Sequence, residues 1–249
     1  MIIKNKAAIA KMRTAGHLLA QIMVEIGDSV QEGVNTLYLD EIIEKRMRAA
    51  GLRPECKGYA GYQFATCISL NDIIVHGVPS KEVILKSGDF VKIDVVGSYK
   101  NYCADITRYF FVGQPNPVAQ RMASVAQRAL DSAINKIAPG IRLSEISLQI
   151  QQVVEQAGFG VVRDFAGHGI GRALHEDPSV PNYVMPGIGP VLVEGMTLAI
   201  EPMITERSYQ VRVMTDGWTA KTIDGGLAAH VEDTIAVTAD GVEILTRLP

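Results

Sequence analysis

Two stretches of this chain, Gly88-Asp-Phe-Val-Lys-Ile-Asp94 and Gly195-Met-Thr-Leu-Ala-Ile-Glu201, carry one pattern 107 residues apart, and each ends in a carboxylate. The same offset lays Gly33-Val34, Leu39, Ile43, Met47 and Ala50-Gly51 onto Gly140-Ile141, Ile146, Ile150, Val154 and Ala157-Gly158, an apolar stripe at helical spacing closed by glycine. The chain reads as a duplicated unit, which restricts it to folds that one plan can build twice. Loop lengths shift two further pairs: His76-Gly-Val-Pro79-Ser80 matches His175-Glu-Asp-Pro178-Ser179, and Asp105-Ile-Thr107 matches Glu232-Asp-Thr234. Histidine, carboxylate, carboxylate thus recur in that order in both halves.

Apolar periodicity predicts helices over 7–26 and 36–50, then apolar runs at 66–75 and 82–85. Strands follow at Phe90–Val96 and Tyr102–Val112, broken by Gly97-Ser-Tyr-Lys-Asn101. The second half repeats the order, with helices over 117–137 and 144–157 and strands near 160–165, 197–204, 209–214, 218–223 and 228–238. Helices then strands, twice, predict an α+β fold: a pseudo-twofold, duplicated antiparallel sheet covered on one side by two helix pairs. The 249 residues, 47% apolar, bury roughly 70–75% of the unfolded surface without staples. One catalytic domain over 1–249 is expected, with halves of about 1–113 and 114–249.

A net charge of −3 argues against sequence-specific nucleic-acid binding driven by bulk charge, and leaves room for a transient contact with a larger partner such as a ribosome. Cys56, Cys67 and Cys103 form neither an even set nor a Cys-x-x-Cys, which points to a reducing, cytoplasmic setting. The opening Met-Ile-Ile-Lys-Asn-Lys lacks the apolar stretch of an export signal, and no run approaches the ~18 apolar residues of a membrane span. A monomer without membrane association is expected.

Period-two alternation puts Val91, Ile93 and Val95 on one strand face and Asp94 on the other. With a hairpin centred between Tyr99 and Lys100, Asp94 would stand directly across from Asp105, two like charges that need a proton or a metal ion between them. The equivalent pair in the other half would bring four carboxylates together, enough to hold two divalent ions. Carboxylates alone suit magnesium or calcium, so nitrogen donors decide the metal. Four of the five histidines fall in the motif regions; His17 lies outside them, on the first helix. His168, in Ala166-Gly-His168-Gly-Ile-Gly171, has no partner in the first half, where the offset lands on Gly61; one ion should receive an imidazole that the other lacks. The glycines there do not fit a dinucleotide loop, and their lack of Cβ allows close backbone approach to an ion or substrate.

Taken together, Cys67-Ile-Ser-Leu-Asn71, His76-Gly-Val-Pro79, Ile93-Asp94-Val95, Ala104-Asp105-Ile-Thr107, Gly167-His168-Gly-Ile-Gly171-Arg, His175-Glu-Asp-Pro178, Ile200-Glu201-Pro202-Met203 and Glu232 resemble the bacterial type I methionine aminopeptidases of the two-metal pita-bread fold, over essentially the whole chain. The resemblance implies removal of N-terminal methionine from nascent proteins and peptides, with a small second residue preferred, by a hydroxide held between two metal ions (Co, Mn, Fe or Zn). It implies Asp94, Asp105, His168, Glu201 and Glu232 as ligands, Asp105 and Glu232 bridging. Glu201 would carry the proton, His175 would meet the carbonyl oxygen and His76 the scissile nitrogen. Cys56, Tyr59, Tyr62, Cys67, Leu174 and Trp218 would form the methionine pocket, where soft and aromatic walls suit a thioether. Leu174, His230 and Asp233 depart from the family's common residues. Glu232-Asp-Thr234 and Tyr102-Cys-Ala-Asp-Ile-Thr-Arg108 also resemble the Xaa-Pro peptidases of the same fold, the alternative reading. A non-catalytic binding relative would have lost ligands, and all five positions are filled here.

Overall fold

The computed structural model describes residues 2–185, 187 and 189–248. Its first half runs α1 (Lys6–Glu25), α2 (Thr36–Ala49), β1 (Arg53–Pro54), β2 (Thr66–Leu70), β3 (Ile73–Val75), β4 (Phe90–Tyr99) and β5 (Tyr102–Phe111). The second half runs α3 (Pro117–Ile134), α4 (Leu143–Gln156), β6 (Gly160–Val161), β7 (Ala166–Gly169), β8 (Glu176–Pro181) and β9 (Thr197–Ile200). It ends with β10 (Met203–Thr205), β11 (Val211–Val213), β12 (Ala220–Thr222), β13 (Ala228–His230), β14 (Glu232–Thr238) and β15 (Gly241–Ile244).

Local chemistry sets the helix starts. The side chains of Asn5, Asn35 and Asn116 accept from Ala8 N (2.9 Å), Tyr38 N (2.9 Å) and Val118 N (2.8 Å), and Pro117 opens α3 where its missing N–H costs nothing. The duplication is legible in the backbone. Helices α2 and α4 lie 107 positions apart, as do the starts of β4 and β9, and the isolated bridges Asn35↔Ile84 and Arg142↔Val191 join matching points. Gly88 and Gly195 enter those strands at φ 96° and 84°, and donate to Val112 O (2.7 Å) and Val237 O (2.9 Å).

The main sheet is antiparallel, in the order β1-β4-β5-β14-β9-β7-β8, with β2 also on β4 and β15 on β14. The halves meet where β5 pairs β14, through Thr107↔Glu232 and Ile106↔Asp233. One sheet face is apolar. Val91, Ile93, Val95, Ala104 and Ile106 pack with Leu19, Leu39, Ile43 and Met47 of α1 and α2, while Leu198, Ile200, Ile235 and Val237 pack with Met122, Leu130, Ile146 and Ile150 of α3 and α4. Alternation then sends Asp94, Asp105, Thr107, Glu201 and Glu232 to the opposite face. This is the duplicated, helix-covered α+β architecture expected from the sequence.

The structure corrects the hairpin register. Strand β4 continues through Gly97-Ser98-Tyr99, Tyr99 pairs with Tyr102, and Asp94 lies opposite Thr107, with Asp105 opposite Val96. The physical reason is the turn: Lys100 and Asn101 both take positive φ (49° and 63°), the two-residue geometry whose twist matches that of the strands. Asp105 is therefore a diagonal neighbour of Asp94 on the same face. The run at 82–85 is no strand, making only the Asn35↔Ile84 bridge, and the strand at 160–165 shrinks to Gly160–Val161. Strands β1, β7, β8 and β15 fall outside the predicted set.

The carboxy-terminal segment closes over α1. A Cβ on Gly16 would sit 2.0 Å from Leu245 O, a backbone fixed by the 2.8 Å bond from Leu245 N to Thr234 O. Helix propensity alone favours alanine at this position by about 1 kcal/mol. Contact wins: Gly16→Ala should lower the unfolding free energy by about 1–3 kcal/mol, read from a denaturant midpoint shift at constant m.

Candidate active site

On the polar sheet face, the pairings Asp94↔Thr107 and Thr107↔Glu232 set one row across β4, β5 and β14. The pairing Asp233↔Ile200 directs Glu232 toward Glu201, which follows the last residue of β9. Thr107 Oγ1 donates to Glu232 Oε2 at 3.0 Å. Thr234 Oγ1 accepts from Asp105 N and donates to Asp105 O, both at 2.8 Å, fixing the backbone that carries that carboxylate. His168, on β7 opposite Ala199, brings Nε2 to 3.7 Å from Asp105 Oδ2 and 3.5 Å from Glu201 Oε1.

These polar atoms are poorly satisfied by protein alone. Asp94 Oδ1, Asp105 Oδ1 and Glu232 Oε1 are buried without a hydrogen-bond partner. The Nδ1 of His168 lies 2.9 Å from Gly169 O; with Nδ1 as donor, Nε2 turns a lone pair toward the carboxylates. Burial and mutual repulsion push the carboxyls up: Asp105 well above the usual range through burial, then Glu232 and Asp94; Glu201 through burial, then Asp94; Glu232 through burial, then Glu201 and Asp94. Burial also raises Asp94, against the pull of His230. It lowers His76, His168 and His230 to about 4, so these rings are neutral near pH 7 and the short His–carboxylate approaches are not ion pairs. Asp105, His168 and Glu232 each offer a ligand atom within 4.8 Å of the others. Partnerless oxygens and an imidazole lone pair facing one space suit a divalent cation.

The carboxylates floor a cavity of about 200 Å³ lined by the residues that the resemblance implies as ligands, catalytic groups and pocket: Asp94, Asp105, His168, Glu201 and Glu232, His76 and His175, and Cys56, Tyr59, Tyr62, Cys67, Leu174 and Trp218; His230 and Asp233 do not line it. Tyr62 packs 4.9 Å from the Trp218 ring and donates to Thr66 O at 2.9 Å. Asp216 accepts from Trp218 N (2.8 Å) and Thr219 N (2.9 Å), a turn that presents the indole. A hydrogen bond with Cys67 and burial push the Cys56 thiol well up, so it serves as apolar wall. Tyr59 differs from the other wall residues, since its hydroxyl lies 2.8 Å from His175 Nδ1.

Phe165, Met203 and Val75 also line the cavity and were not apparent in the sequence; Phe165 stands edge-on to His76, with centroids 5.4 Å apart. His230 lies beneath the floor, its Nε2 3.5 Å from Glu201 Oε2 and otherwise partnerless. Asp233 faces the other way: on the helix side it accepts from Arg108 Nη2, Arg247 Nε (both 2.7 Å) and Thr246 Oγ1 (2.8 Å). Arg108 and Asp233, which lie in the two stretches Asp105-Ile-Thr-Arg108 and Glu232-Asp-Thr234, thus form an ion pair behind the sheet. The glycines around His168 answer to strand packing instead of a ligand: Cβ atoms at Gly167 and Gly169 would lie 2.4 Å from Ala199 O and 2.3 Å from Asp177 O.

Residues 10–239 match the model of metallopeptidase family M24. A methionine aminopeptidase of Clostridium perfringens is 43% identical over 248 residues, covering 100% of this chain and 99% of the relative. The crystal structure of methionine aminopeptidase from Thermotoga maritima superposes with a TM-score of 0.97 at 43% identity, over all of both chains. The prolidase from Pyrococcus furiosus gives 0.82 at 25% identity, this chain covering 66% of it. The chain belongs to metallopeptidase family M24 and, within it, to the bacterial methionine aminopeptidases.

Proposed function

We propose that this chain hydrolyses the bond after an N-terminal methionine, in peptides and newly made proteins with a small second residue, using two divalent ions. The observation that carries the metal reading is the set of buried carboxylate oxygens without partners around one imidazole lone pair. Asp94, Asp105, His168, Glu201 and Glu232 would hold the ions. Four carboxylates and one imidazole accept Mn, Fe, Co or Zn. Such ions supply a water that ionises near neutral pH and positive charge beside the scissile carbonyl and the free amine.

The protein does the rest. Glu201, held at its backbone by the 3.0 Å bond from Asn182 Nδ2 to Glu201 O, takes the proton of the attacking water and returns it to the departing amine. His175 donates to the carbonyl oxygen as charge develops there. His76, sustained at φ 58° by the turn and by Phe165, faces the nitrogen of the breaking bond. Gly77 lets that turn pass against β2, where a Cβ would fall 2.2 Å from Ile68 O. Cys56, Tyr62, Cys67, Leu174 and Trp218 exclude water from the methionine side chain and favour its polarizable sulfur. No helix among the described residues is long and apolar enough to cross a membrane.

Three outcomes test this reading. With added Mn or Co, a Met-Ala peptide should turn over in preference to an Ala-Pro peptide; the reverse preference would sink the methionine assignment. Glu201→Ala should cut kcat by about 10²–10⁴-fold while the circular dichroism spectrum stays that of the folded protein. The raised carboxyls give the third. Their folded values lie above their unfolded ones, so in metal-free protein they favour the fold below the ordinary carboxylate range near pH ~4 and cost stability as pH rises through the raised values. Divalent ions replace those protons, so the Tm gain on adding Mn should grow between about pH 5.5 and 7.5. A gain that shrinks over that range excludes these carboxylates as ligands.

A further inference from the structure

Tyr59 lies at the cavity rim, 43% exposed, in a turn that bends hard to deliver it. Gly58, Ala60 and Gly61 take φ of 93°, 45° and 88°. The turn is pinned by Gly58 N to Tyr62 O (2.7 Å), Tyr59 N to Cys56 O (3.0 Å) and Tyr62 N to Tyr59 O (2.8 Å). A non-glycine residue such as Ala60 holds a left-handed conformation only where its surroundings require it. What the turn achieves is the placement of one hydroxyl. Tyr59 Oη lies 2.8 Å from His175 Nδ1, and the two rings meet near-perpendicular with centroids 5.2 Å apart.

A methionine pocket needs apolar walls and has no use for that hydroxyl; phenylalanine would serve. A neutral imidazole, however, carries a single N–H, and which nitrogen bears it is set by the partner of the other. A phenol O–H is the better donor of this pair and an imidazole lone pair the better acceptor. We propose that Tyr59 is a positioning residue that donates to Nδ1 of His175, so that the ring's one proton sits on Nε2 and is available to the substrate's carbonyl oxygen. Without it, the ring divides between tautomers, and the form protonated on Nδ1 presents a lone pair to an oxygen that is gaining negative charge. The inference rests on His175 being the donor to that oxygen.

The test is Tyr59→Phe, which keeps the ring and removes the hydroxyl, studied in zinc-loaded enzyme with His175→Ala and the double variant. Imidazole ¹⁵N shifts, assigned by the signals that His175→Ala loses, should report Nδ1 of His175 as an acceptor in the parent and a mixture of tautomers in Tyr59→Phe. On a Met-Ala peptide, kcat of Tyr59→Phe should fall about tenfold, the worth of one hydrogen bond, with KM changed less than about twofold. The double variant should be no slower than His175→Ala alone, because Tyr59 acts through that ring. Additive losses, or a KM increase with unaltered ¹⁵N shifts, would make Tyr59 a pocket wall and overturn the proposal. Parental kcat in His175→Ala removes the donor reading and this inference with it, whereas an intact donor with no tautomer change in Tyr59→Phe removes the inference alone.

Discussion

Four carboxylates, on Asp94, Asp105, Glu201 and Glu232, share one buried face, and the molecule is arranged around the cost of keeping them there. Ionised and unpaired, each would pay several kcal/mol of desolvation. The protein supplies few countercharges on that face. Thr107 gives one hydroxyl, and the surrounding histidines are held neutral by burial. Protons or cations must therefore complete the site. A sheet that turned those oxygens to solvent would relieve the cost and lose the chemistry.

The other face makes the burial sustainable. Strand alternation that sends Asp94 and Glu232 to one side sends Ile93, Ile106 and Ile235 to the helices, so the same strands that carry the costly groups bury the apolar core. While β3 joins β12 outside the main sheet, within it the seam between the halves is short, Thr107 and Ile106 of β5 pairing Glu232 and Asp233. Behind it, Arg108 donates to Glu232 O (2.6 Å), Thr107 O (3.0 Å), Thr246 O (2.9 Å) and Asp233, stitching the two strands and the carboxy-terminal segment together. Arg247 extends the stitch to Asp131 at the end of α3. Among the described residues, removing Asp233 would take the one carboxylate from Arg108 and one of two from Arg247, beside the backbone that positions Glu232.

The helices, the long strands and the candidate site residues could be read from the sequence because each leaves a periodic or chemical trace. Apolar spacing marks α1 to α4, and a carboxylate at an otherwise apolar strand end marks Asp94 and Glu201. The hairpin register left no such trace. Gly97, Ser98 and Asn101 all suit turns, and the left-handed conformation falls partly on Lys100, a residue type that does not advertise it. Strands β7 and β8 are short, rich in glycine or proline, and made by pairing instead of propensity, so Gly167 and Gly169 look like a ligand loop until the carbonyls of Ala199 and Asp177 come into view. His230 and Asp233 flank Glu232 in sequence but belong to different sheets, His230 ending β13 and Asp233 lying in β14, and the break at Val231 that separates them leaves no mark in the sequence.

The duplication explains more where it fails than where it holds. Strand β7, which delivers His168, flanks β9 as β2 flanks β4 in the first half, and the 99-residue offset that joins His76 to His175 lays His168 onto Ser69. The turn around Gly61, which leads into β2, builds no strand. It bends back through left-handed residues and sends Tyr59 across to His175, a histidine of the other half, whose ring also lies 4.3 Å from that of His168. The second half thus places an imidazole at the floor of the cavity where the first half has Ser69, and the first half sends Tyr59 to the imidazole beside it. The stretch that carries Tyr59 also lines one end of the cavity with Cys56 and Tyr62, so one segment of the first half shapes that end and holds the His175 ring.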